Sequence, residues 1–567
     1  MLKNNKSKLV IMGLFLVFVV VLIYVFRSLF GGFDKNLTSW LDIPYVIWVM
    51  GQNIEKFRTF SFGNFFETNA FYSNKLTLLF SDTLIPQSLI FYIFSMFSRN
   101  LVLCFNFTLI LTLILNYWSV LLFWCLFTKN KIIAFLGTMF FIFSPFFFYQ
   151  FGHFQMMSYW PLFFSLYFLI KQNKRFSLKN SILSGIFLAI QFLAAVYLSI
   201  FLMVIIGVFL LINFSTDKFS PGKGLVVLTI FLLFSGVFIR GYLEVKRINS
   251  FVRDPAEYIT YSAHLSDYLF TSNRDTVFNR NKLVNRWNSF DQHFGGERAG
   301  FPGFLILILS IIGLIKISLP KKDSLLEIIF DFDKHKLIFL LLILTGFGFS
   351  LGTRLSFNGV YSSIPIPYNF LVKFVPFFDT IRSTARWSFL FYLGMVGLSI
   401  YGLEKILLMI KGKWLKIFVI ILVSVVFVLE NLPLKVDSHF EDYYVGYQKI
   451  EKLCTERKRL LLELPVSHMD FQNGVVNGLN YISKVEMASV RHGCYLFNGY
   501  SGYEPKNIEI FRSNVMNINN TNEFLSLLKK EKIEILKNND NRWNIYIEDL
   551  DKSGDLKLLE PGVYLVR

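Results

Sequence analysis

The chain has 567 residues, of which 54% are hydrophobic and only 17% are charged. Soluble globular proteins are about a quarter charged, so this balance indicates a protein whose solvent is largely lipid. The formal net charge of +18 does not indicate nucleic-acid binding, because the basic residues lie in short loops between apolar runs and not in one patch.

The first predicted element is a membrane span. A basic flank precedes an apolar run from Leu9 to Phe30, which is long for a signal-peptide core and has no small-residue cleavage site after it. It predicts a retained signal anchor with its amino end in the cytoplasm. Further apolar runs of about bilayer length follow at Leu101–Phe127, Ile132–Tyr149, Met156–Ile170, Ser181–Phe214, Leu225–Tyr242, Phe304–Leu319, Leu337–Leu351, Trp387–Ile410 and Leu415–Glu430. The run Ser181–Phe214 is too long for one crossing and is split near Ala194–Tyr197, which gives about eleven spans.

The loops between alternate spans differ in charge. The lysine-rich loops are Lys129–Lys131, Lys171–Lys179, Lys218–Lys223, Lys316–Lys322 and Lys411–Lys416, whereas residues 152–157 and 195–197 contain no Lys or Arg. The positive-inside rule places the lysine-rich loops in the cytoplasm, if residues 84–97 form an interfacial or re-entrant helix and not a full crossing. The sequence therefore predicts a multipass plasma-membrane protein with four extracytoplasmic segments, at 31–99, 243–303, 352–386 and 432–567.

The composition changes near residue 432. The stretches RLLLELPV and RWNIYIEDL alternate apolar and polar residues as strands do. We therefore predict an all-α polytopic membrane domain over residues 1–431 and a small extracytoplasmic α+β domain over residues 432–567. Cys454 and Cys494 lie in this tail, where oxidation can join them, but the sequence leaves their pairing open. Cys104 and Cys125 fall in one predicted span and are interpreted as core residues.

Carboxylates in the first outer segment are the first candidates for chemistry. Asp34 and Asp42 follow the first span, and a carboxylate in a wet loop near the membrane can act as a general base or bind a metal. A solvated Asp beside interfacial tryptophans is equally typical of such a loop. Asp82 precedes an apolar stretch, where it can cap a helix or act as an acid, and spacing does not separate these roles.

Basic side chains occur in the later outer segments. His153 lies in a very short loop between two spans, where it can bind a phosphate or hydroxyl, or have no role. Glu297 and Arg298 lie in the polar second segment. Arg382 and Arg386 are four residues apart at the outer mouth of a span, so on a helix they share one face. This spacing favours a clamp for a lipid phosphate over a pair of snorkelling anchors.

The order of these motifs resembles the bacterial and archaeal multipass proteins of the GT-C glycosyltransferase superfamily, in its uncharacterised branch. Each block is weak alone, but the ordered series covers nearly the whole chain and is fairly specific. The blocks are DKNLTSW, NAFYSNKLTLLFSD, SPFFFYQFGHFQMMSYWPL, ERAGFPGF, LGTRLSF, PIPYNFLVKFVPFFDTIRSTARW, LLLELPV and NGYSGYEP.

This resemblance implies an inverting transferase that moves a sugar from a polyprenyl-phosphate carrier to a glycan, lipid or protein acceptor on the outer face. By that likeness Asp34 is the base that deprotonates the acceptor, and the two arginines steady the departing phosphate. The remaining implied site residues are Asp82 as a second acid, and His153, Glu297 and Arg298 as lining of the substrate pocket.

The chain departs from the family pattern in one respect. Members often carry paired acids in the first loop, whereas here Asp34 is followed by Lys35 and the next acid is Asp42. Asp42 is therefore the alternative base. The first outer loop has no DxD triplet, so no metal ligands are assigned and a divalent cation, Mg or Mn, is left open. A non-catalytic relative that serves envelope polysaccharide or carrier-lipid assembly or transport is the second hypothesis. A secondary transporter is disfavoured, because the charged residues cluster at span ends and not in mid-span.

Overall fold

The structure is a computed structural model. It describes residues 5–39, 42–171, 177–214, 221–251, 253–271, 275–290, 297–315, 333–375, 378–434, 436, 438–440, 444–471 and 474–567. The predicted lysine-rich loop 316–322 lies outside these residues, as do residues 172–176 and 218–220 of two other predicted loops, and Trp40 and Leu41.

The chain is a mainly helical membrane protein. Within the described ranges, six helices are long and apolar enough to cross a bilayer: Ser7–Val25, Leu101–Trp124, Lys131–Tyr149, Gly222–Asn249, Thr384–Met409 and Lys413–Asn431. Shorter apolar helices are Ile85–Ser95, Leu178–Ala194, Val196–Ile212 and Phe304–Leu314.

The expected number of eleven spans is not confirmed. Every predicted span falls on a helix, but several of these helices are short. Trp160–Lys171 has 12 residues and Phe304–Leu314 has 11. At a rise of 1.5 Å per residue such helices are roughly 17 Å long, well short of a hydrocarbon core of about 30 Å.

The predicted break in the long run Ser181–Phe214 is present. One helix ends at Ala194, Ala195 is extended, and the next helix starts at Val196. The Asp82 carboxylate accepts a hydrogen bond from the Val196 N–H at 2.8 Å. Asp82 therefore caps this distant helix and not the one that follows it, whose N-cap residue is Leu84.

Helix Ser388–Met409 is the centre of the membrane domain and is buried along most of its length. It packs closely on Phe304–Leu314 and Lys334–Ser350 through glycines. A Cβ on Gly402 would lie 1.9 Å from the Leu309 carbonyl oxygen, and one on Gly346 would lie 2.3 Å from the Phe391 nitrogen. Small residues allow this approach, as is common between membrane helices. The packing fixes the start of Ser388–Met409, just after Arg386.

The segments predicted to be extracytoplasmic contain helices and one hairpin. Their helices before the tail are Ile43–Thr59, Ile85–Ser95, Pro255–Thr260, Lys282–Asn288 and Pro367–Phe374. The short helices Arg27–Phe30 and Phe154–Met157 lie next to candidate spans, and the span Lys131–Tyr149 is interrupted after Ile142, its last part being the helix Pro145–Tyr149. Strands Arg354–Phe357 and Val360–Pro365 pair antiparallel.

The tail contains a five-stranded sheet, which agrees with the predicted α+β character. Its order is Tyr495–Leu496, Leu460–Leu464, Ile535–Asn538, Val563–Val566 and Leu556–Glu560, with the first three strands parallel and the last two antiparallel to their neighbours. Its helices are Gln448–Glu456, Val475–His492, Lys506–Met516, Thr521–Lys530 and Asn544–Ser553. RWNIYIEDL, predicted as a strand, was assigned wrongly. It forms the last of these helices because Trp543, Ile547 and Leu550, the residues that it buries, follow a helical spacing.

The tail is docked on the first outer segment. Asn36–Leu37 pairs with His439–Phe440, and Ile43–Thr59 packs on Val475–His492, where a Cβ on Gly51 would lie 2.7 Å from the Val490 methyl carbons. Cys454 and Cys494 form a disulfide.

Candidate functional site

Four charged side chains from distant parts of the sequence contact one another in the structure. His153 Nδ1 lies 2.8 Å from Asp42 Oδ2, and His153 Nε2 lies 2.7 Å from Glu297 Oε1. Arg386 donates from Nη2 to Glu297 Oε1 at 2.8 Å and from Nε to Glu297 Oε2. We call these residues the central cluster.

The local structure around three of the four residues explains how they reach the central cluster. Asp42 precedes helix Ile43–Thr59 without capping it, so its carboxylate can face His153. His153 lies between the short helices Pro145–Tyr149 and Phe154–Met157. Arg386 lies in a 3₁₀ turn, Thr384–Trp387, that leads into the central helix. All four side chains are mostly buried, the most exposed being Asp42 at 21%.

The geometry identifies His153 as an imidazolium. Both ring nitrogens face carboxylate oxygens, and ionised carboxylates only accept hydrogen bonds, so both nitrogens must donate. Burial alone would lower the pKa of His153, but the charges of Glu297 and Asp42 outweigh it and raise the pKa to about 9. The ring is therefore charged at neutral pH.

The two carboxylates respond in the opposite direction. Burial would raise the pKa of Asp42, but the charge of His153 and its hydrogen bond give a net lowering. Burial would likewise raise the pKa of Glu297, but the charges of Arg386 and His153 hold it well below its usual range. Both acids are ionised at neutral pH, and the four charges of the cluster cancel.

The predicted arginine clamp is not formed as a pair on one helix face. Residues 381–383 are not helical, and Arg386 is engaged by Glu297 and lies 4.9 Å from the ring centre of Tyr197. The Arg382 guanidinium instead lies 4.6 Å from the ring centre of Tyr261. No carboxylate of the described residues forms an ion pair with Arg382. It is therefore the arginine of the two that has room for an anionic ligand.

The structure places Asp34 outside the central cluster. Its side chain is exposed, and its backbone oxygen accepts a hydrogen bond from Asn100 Nδ2 at 2.8 Å. The role of Asp34 as base stays a prediction, and this placement does not support it. The geometry favours its alternative, Asp42.

Asp82 and Arg298 lie near the cluster but are engaged elsewhere. Burial raises the pKa of Asp82, while its bond from Val196 and the charge of Arg386 oppose that rise. Arg298 Nη1 lies 2.8 Å from His264 Nε2. Their roles in chemistry or substrate binding stay predictions.

Comparison with known proteins places the chain in a family. A family model described as a domain of unknown function, DUF6311, matches residues 17–429. The chain belongs to this family. No curated protein matches it by sequence.

The DUF6311 chain is similar to solved structures, one of which is the archaeal oligosaccharyltransferase AglB from Archaeoglobus fulgidus, in complex with an inhibitory peptide and a dolichol-phosphate. The similarity covers 94% of this chain and 70% of that chain, with 10% sequence identity and a TM-score of 0.45. At that score the likeness carries no inference about this chain.

The tail of the DUF6311 chain supplies a residue that the sequence analysis did not single out. The Tyr500 hydroxyl lies 3.5 Å from Asp42 Oδ1, which is long for a hydrogen bond. The Tyr500 N–H donates to the buried Glu486 at 2.8 Å, and Tyr45 lies 3.0 Å from Ser501. The block NGYSGYEP was noted only for its resemblance. Its tyrosines between glycines were a signal that this loop approaches another part of the chain.

The central cluster of this DUF6311 protein does not fit a divalent cation. The His153 ring lies between Asp42 and Glu297 with one nitrogen on each, so an imidazolium fills the position at which a metal would join the two carboxylates. In the part of the chain that the structure describes, no group of three or more His, Cys, Asp or Glu side chains could hold a metal ion. No step proposed below uses a metal.

Proposed function

We propose that the chain is a membrane glycosyltransferase that moves a sugar from a polyprenyl-phosphate carrier to an extracytoplasmic acceptor, with inversion. The observation that carries this proposal is the ionised carboxylate of Asp42, which is held by His153 close to Tyr500, a residue that also interacts electrostatically with Arg382. The ordered sequence blocks that resemble GT-C enzymes support the same reaction class.

The disulfide supports the proposed sidedness. Disulfides persist in oxidising compartments and are rare in the cytosol, so the Cys454–Cys494 bond favours an extracytoplasmic tail. Because Tyr500 of that tail approaches Asp42, the site would lie on the same side. The amino terminus would then be cytoplasmic and the protein would lie in the plasma membrane.

Asp42 is the proposed base. Its Oδ2 atom is held by His153, while among the described residues Oδ1 has the distant Tyr500 hydroxyl as its partner, so we assign Oδ1 to the acceptor. Its lowered pKa keeps it ionised but makes it a weak base, so it takes the proton only after the new bond has largely formed.

The transfer step then balances as follows. The acceptor oxygen attacks the anomeric carbon and its proton passes to Asp42 Oδ1. The bond from that carbon to the phosphate oxygen breaks, and its electron pair leaves on the carrier phosphate. Arg382 binds the phosphate, whose negative charge grows during the step. Arg386 and Glu297 are positioning residues, because their ion pairs orient His153 and through it Asp42.

A non-catalytic role in envelope polysaccharide or carrier-lipid assembly or transport is the second candidate. The cancelling charges of the central cluster favour it, since ion pairs of this kind can also serve to join the four segments that carry them. The donor would still be recognised by its phosphate. The two candidates differ in whether a sugar is transferred.

Asp42→Asn tests the proposal, with Asp34→Asn as the matched control. The chain in proteoliposomes is given a panel of radiolabelled polyprenyl-phosphate hexoses and envelope acceptors from cells that lack it. Loss of general-base catalysis lowers transfer by about 10²- to 10⁴-fold in Asp42→Asn, while Asp34→Asn retains it. Full transfer by Asp42→Asn refutes the assignment. Absence of transfer by the wild type with every donor favours the non-catalytic candidate.

A further inference from the structure

The outer hairpin, Arg354–Phe357 with Val360–Pro365, and helix Pro367–Phe374 carry an exposed apolar surface. In the sequence they lie between the helices Lys334–Ser350 and Ser388–Met409. Val360 is 73% exposed, Phe370 62% and Phe374 67%. Contiguous apolar surface of this kind on a folded protein marks a site of contact with a partner or a membrane.

The hairpin does not bury one apolar face against the protein as an ordinary antiparallel sheet does. Successive residues of a strand face opposite sides, yet the neighbours Val360 and Tyr361 are both exposed, as are Phe357 and Ile364. The fully buried side chain among these two strands is the polar Ser356. Apolar side chains are therefore exposed on both sides of the hairpin, although Tyr361 also contacts the His264 ring.

The helix Pro367–Phe374 has two different sides. Tyr368 is fully buried and its ring lies 5.9 Å from that of Phe349, in the last turn of Lys334–Ser350. Phe370 and Phe374, one turn apart, contact each other with tilted rings whose centres are 4.5 Å apart, and both are exposed. The inner side anchors the helix to the end of a membrane-domain helix. Its other side is apolar and exposed, and the neighbouring Lys373 is exposed as well.

The hairpin also borders an apolar groove and is joined to the site. The groove has a volume of about 460 Å³ and is lined by Leu265, Leu355 and Val360, among others. The Gly359 N–H donates to His264 Nδ1 at 3.3 Å, and His264 also contacts Arg298, the residue after Glu297. The apolar surface is thus fixed relative to the central cluster.

We propose that the hairpin and helix Pro367–Phe374 insert their apolar side chains into the adjoining membrane leaflet. Lipid is favoured over a second protein because helix Pro367–Phe374 is anchored through Tyr368 to the end of helix Lys334–Ser350, which was predicted to span the membrane. That helix also exposes an apolar side chain, Leu344 at 57%, as helix Pro367–Phe374 exposes Phe370 and Phe374. An interfacial helix with aromatic residues in the acyl boundary and a lysine at the headgroups has this pattern. The inference is independent of the transferase activity.

Depth-dependent quenching tests this insertion. Phe370→Cys is made in the full chain with Cys104 and Cys125 replaced by Ala, labelled with an NBD fluorophore, and reconstituted in phosphatidylcholine and phosphatidylglycerol vesicles. An inserted label lies roughly 5–10 Å into the headgroup and acyl boundary. It should therefore lose more than about half of its fluorescence when the lipid carries a doxyl group near the glycerol backbone. Ile545→Cys, at an exposed apolar position in the tail, is the control and should not be quenched.

Two outcomes overturn the proposal. In the first, the label at position 370 is quenched by aqueous iodide and not by doxyl lipid, as the control is. In the second, it is shielded from both quenchers only at high protein-to-lipid ratio, which identifies a second copy as the occupant. Val360→Cys provides an independent site at the hairpin turn, where substitution disturbs no buried packing.

Discussion

The charge on His153 depends on the two carboxylates that hold it, so the chain should lose stability as the pH rises through the pKa of that ring. Raising this pKa from an ordinary value near 6.5 to about 9 corresponds to about 3 kcal/mol. Because the folded-state pKa is the higher one, this stabilisation is fully present below about pH 6.5. It decreases as the pH rises and is lost above about pH 9.

Thermal unfolding in lipid nanodiscs, followed by tryptophan fluorescence between about pH 6 and about pH 10, measures this effect. In His153→Gln the new side chain can form hydrogen bonds but carries no charge, so the Tm of this variant should lie below that of the wild type at pH 6. This gap in Tm between the two proteins should close as the pH approaches 9. Lys484, whose pKa burial lowers to about 8, titrates in the same range with the opposite sign. Because Lys484 is present in both proteins, its contribution cancels in the gap.

A gap between wild type and His153→Gln that stays constant over this pH range would refute the reasoning. It would mean that the ring is neutral in the folded chain at all these pH values, or that its charge contributes nothing to stability. A gap that closes near pH 6.5 would show that Asp42 and Glu297 do not shift the pKa of the ring.

Three further outcomes are expected. Arg382→Ala should weaken binding of polyprenyl phosphate about tenfold or more without changing the Tm, because a charge-assisted bond to phosphate is lost. A scintillation proximity assay measures this affinity, and an unaltered affinity would remove Arg382 from the site. Reducing the Cys454–Cys494 disulfide, which spans 40 residues, should cost about 2–4 kcal/mol and lower the Tm, whereas an equal Tm with and without reductant would contradict this. Gly51→Leu should push helix Ile43–Thr59 away from Val490 in helix Val475–His492, at a cost of about 1–3 kcal/mol, and make the tail sensitive to limited proteolysis. Gly51→Ala is the milder comparison. A tail that is equally resistant in the wild type and both variants would argue against this contact.

The four residues of the central cluster were all candidates from the sequence, but the sequence did not predict which of them form ion pairs with each other. The predicted topology puts the segments that carry His153, Glu297 and Arg386 on one side of the membrane, because alternate loops between spans emerge on the same side. Which first-loop acid faces inward is decided by tertiary packing. Asp34 and Asp42 are similar in local sequence context, and only the structure shows that helix Ile43–Thr59 turns the second one toward His153.

The arginines show a second limit of sequence reasoning. Their spacing predicts one helix face, but the helix begins at Ser388 and the preceding residues form a 3₁₀ turn. Glu297, 89 residues earlier in the chain, then binds Arg386 and leaves Arg382 against a tyrosine. A local pattern carries no information about such a long-range partner.

The most direct test of the central claim is a cryo-electron microscopy structure of the chain in nanodiscs with bound undecaprenyl phosphate. The account predicts phosphate density within about 3 Å of the Arg382 guanidinium, with open space between that phosphate and Asp42 Oδ1 for an acceptor. Phosphate bound on the opposite side of the membrane, or at Arg382 but separated from Asp42 by protein, would contradict it.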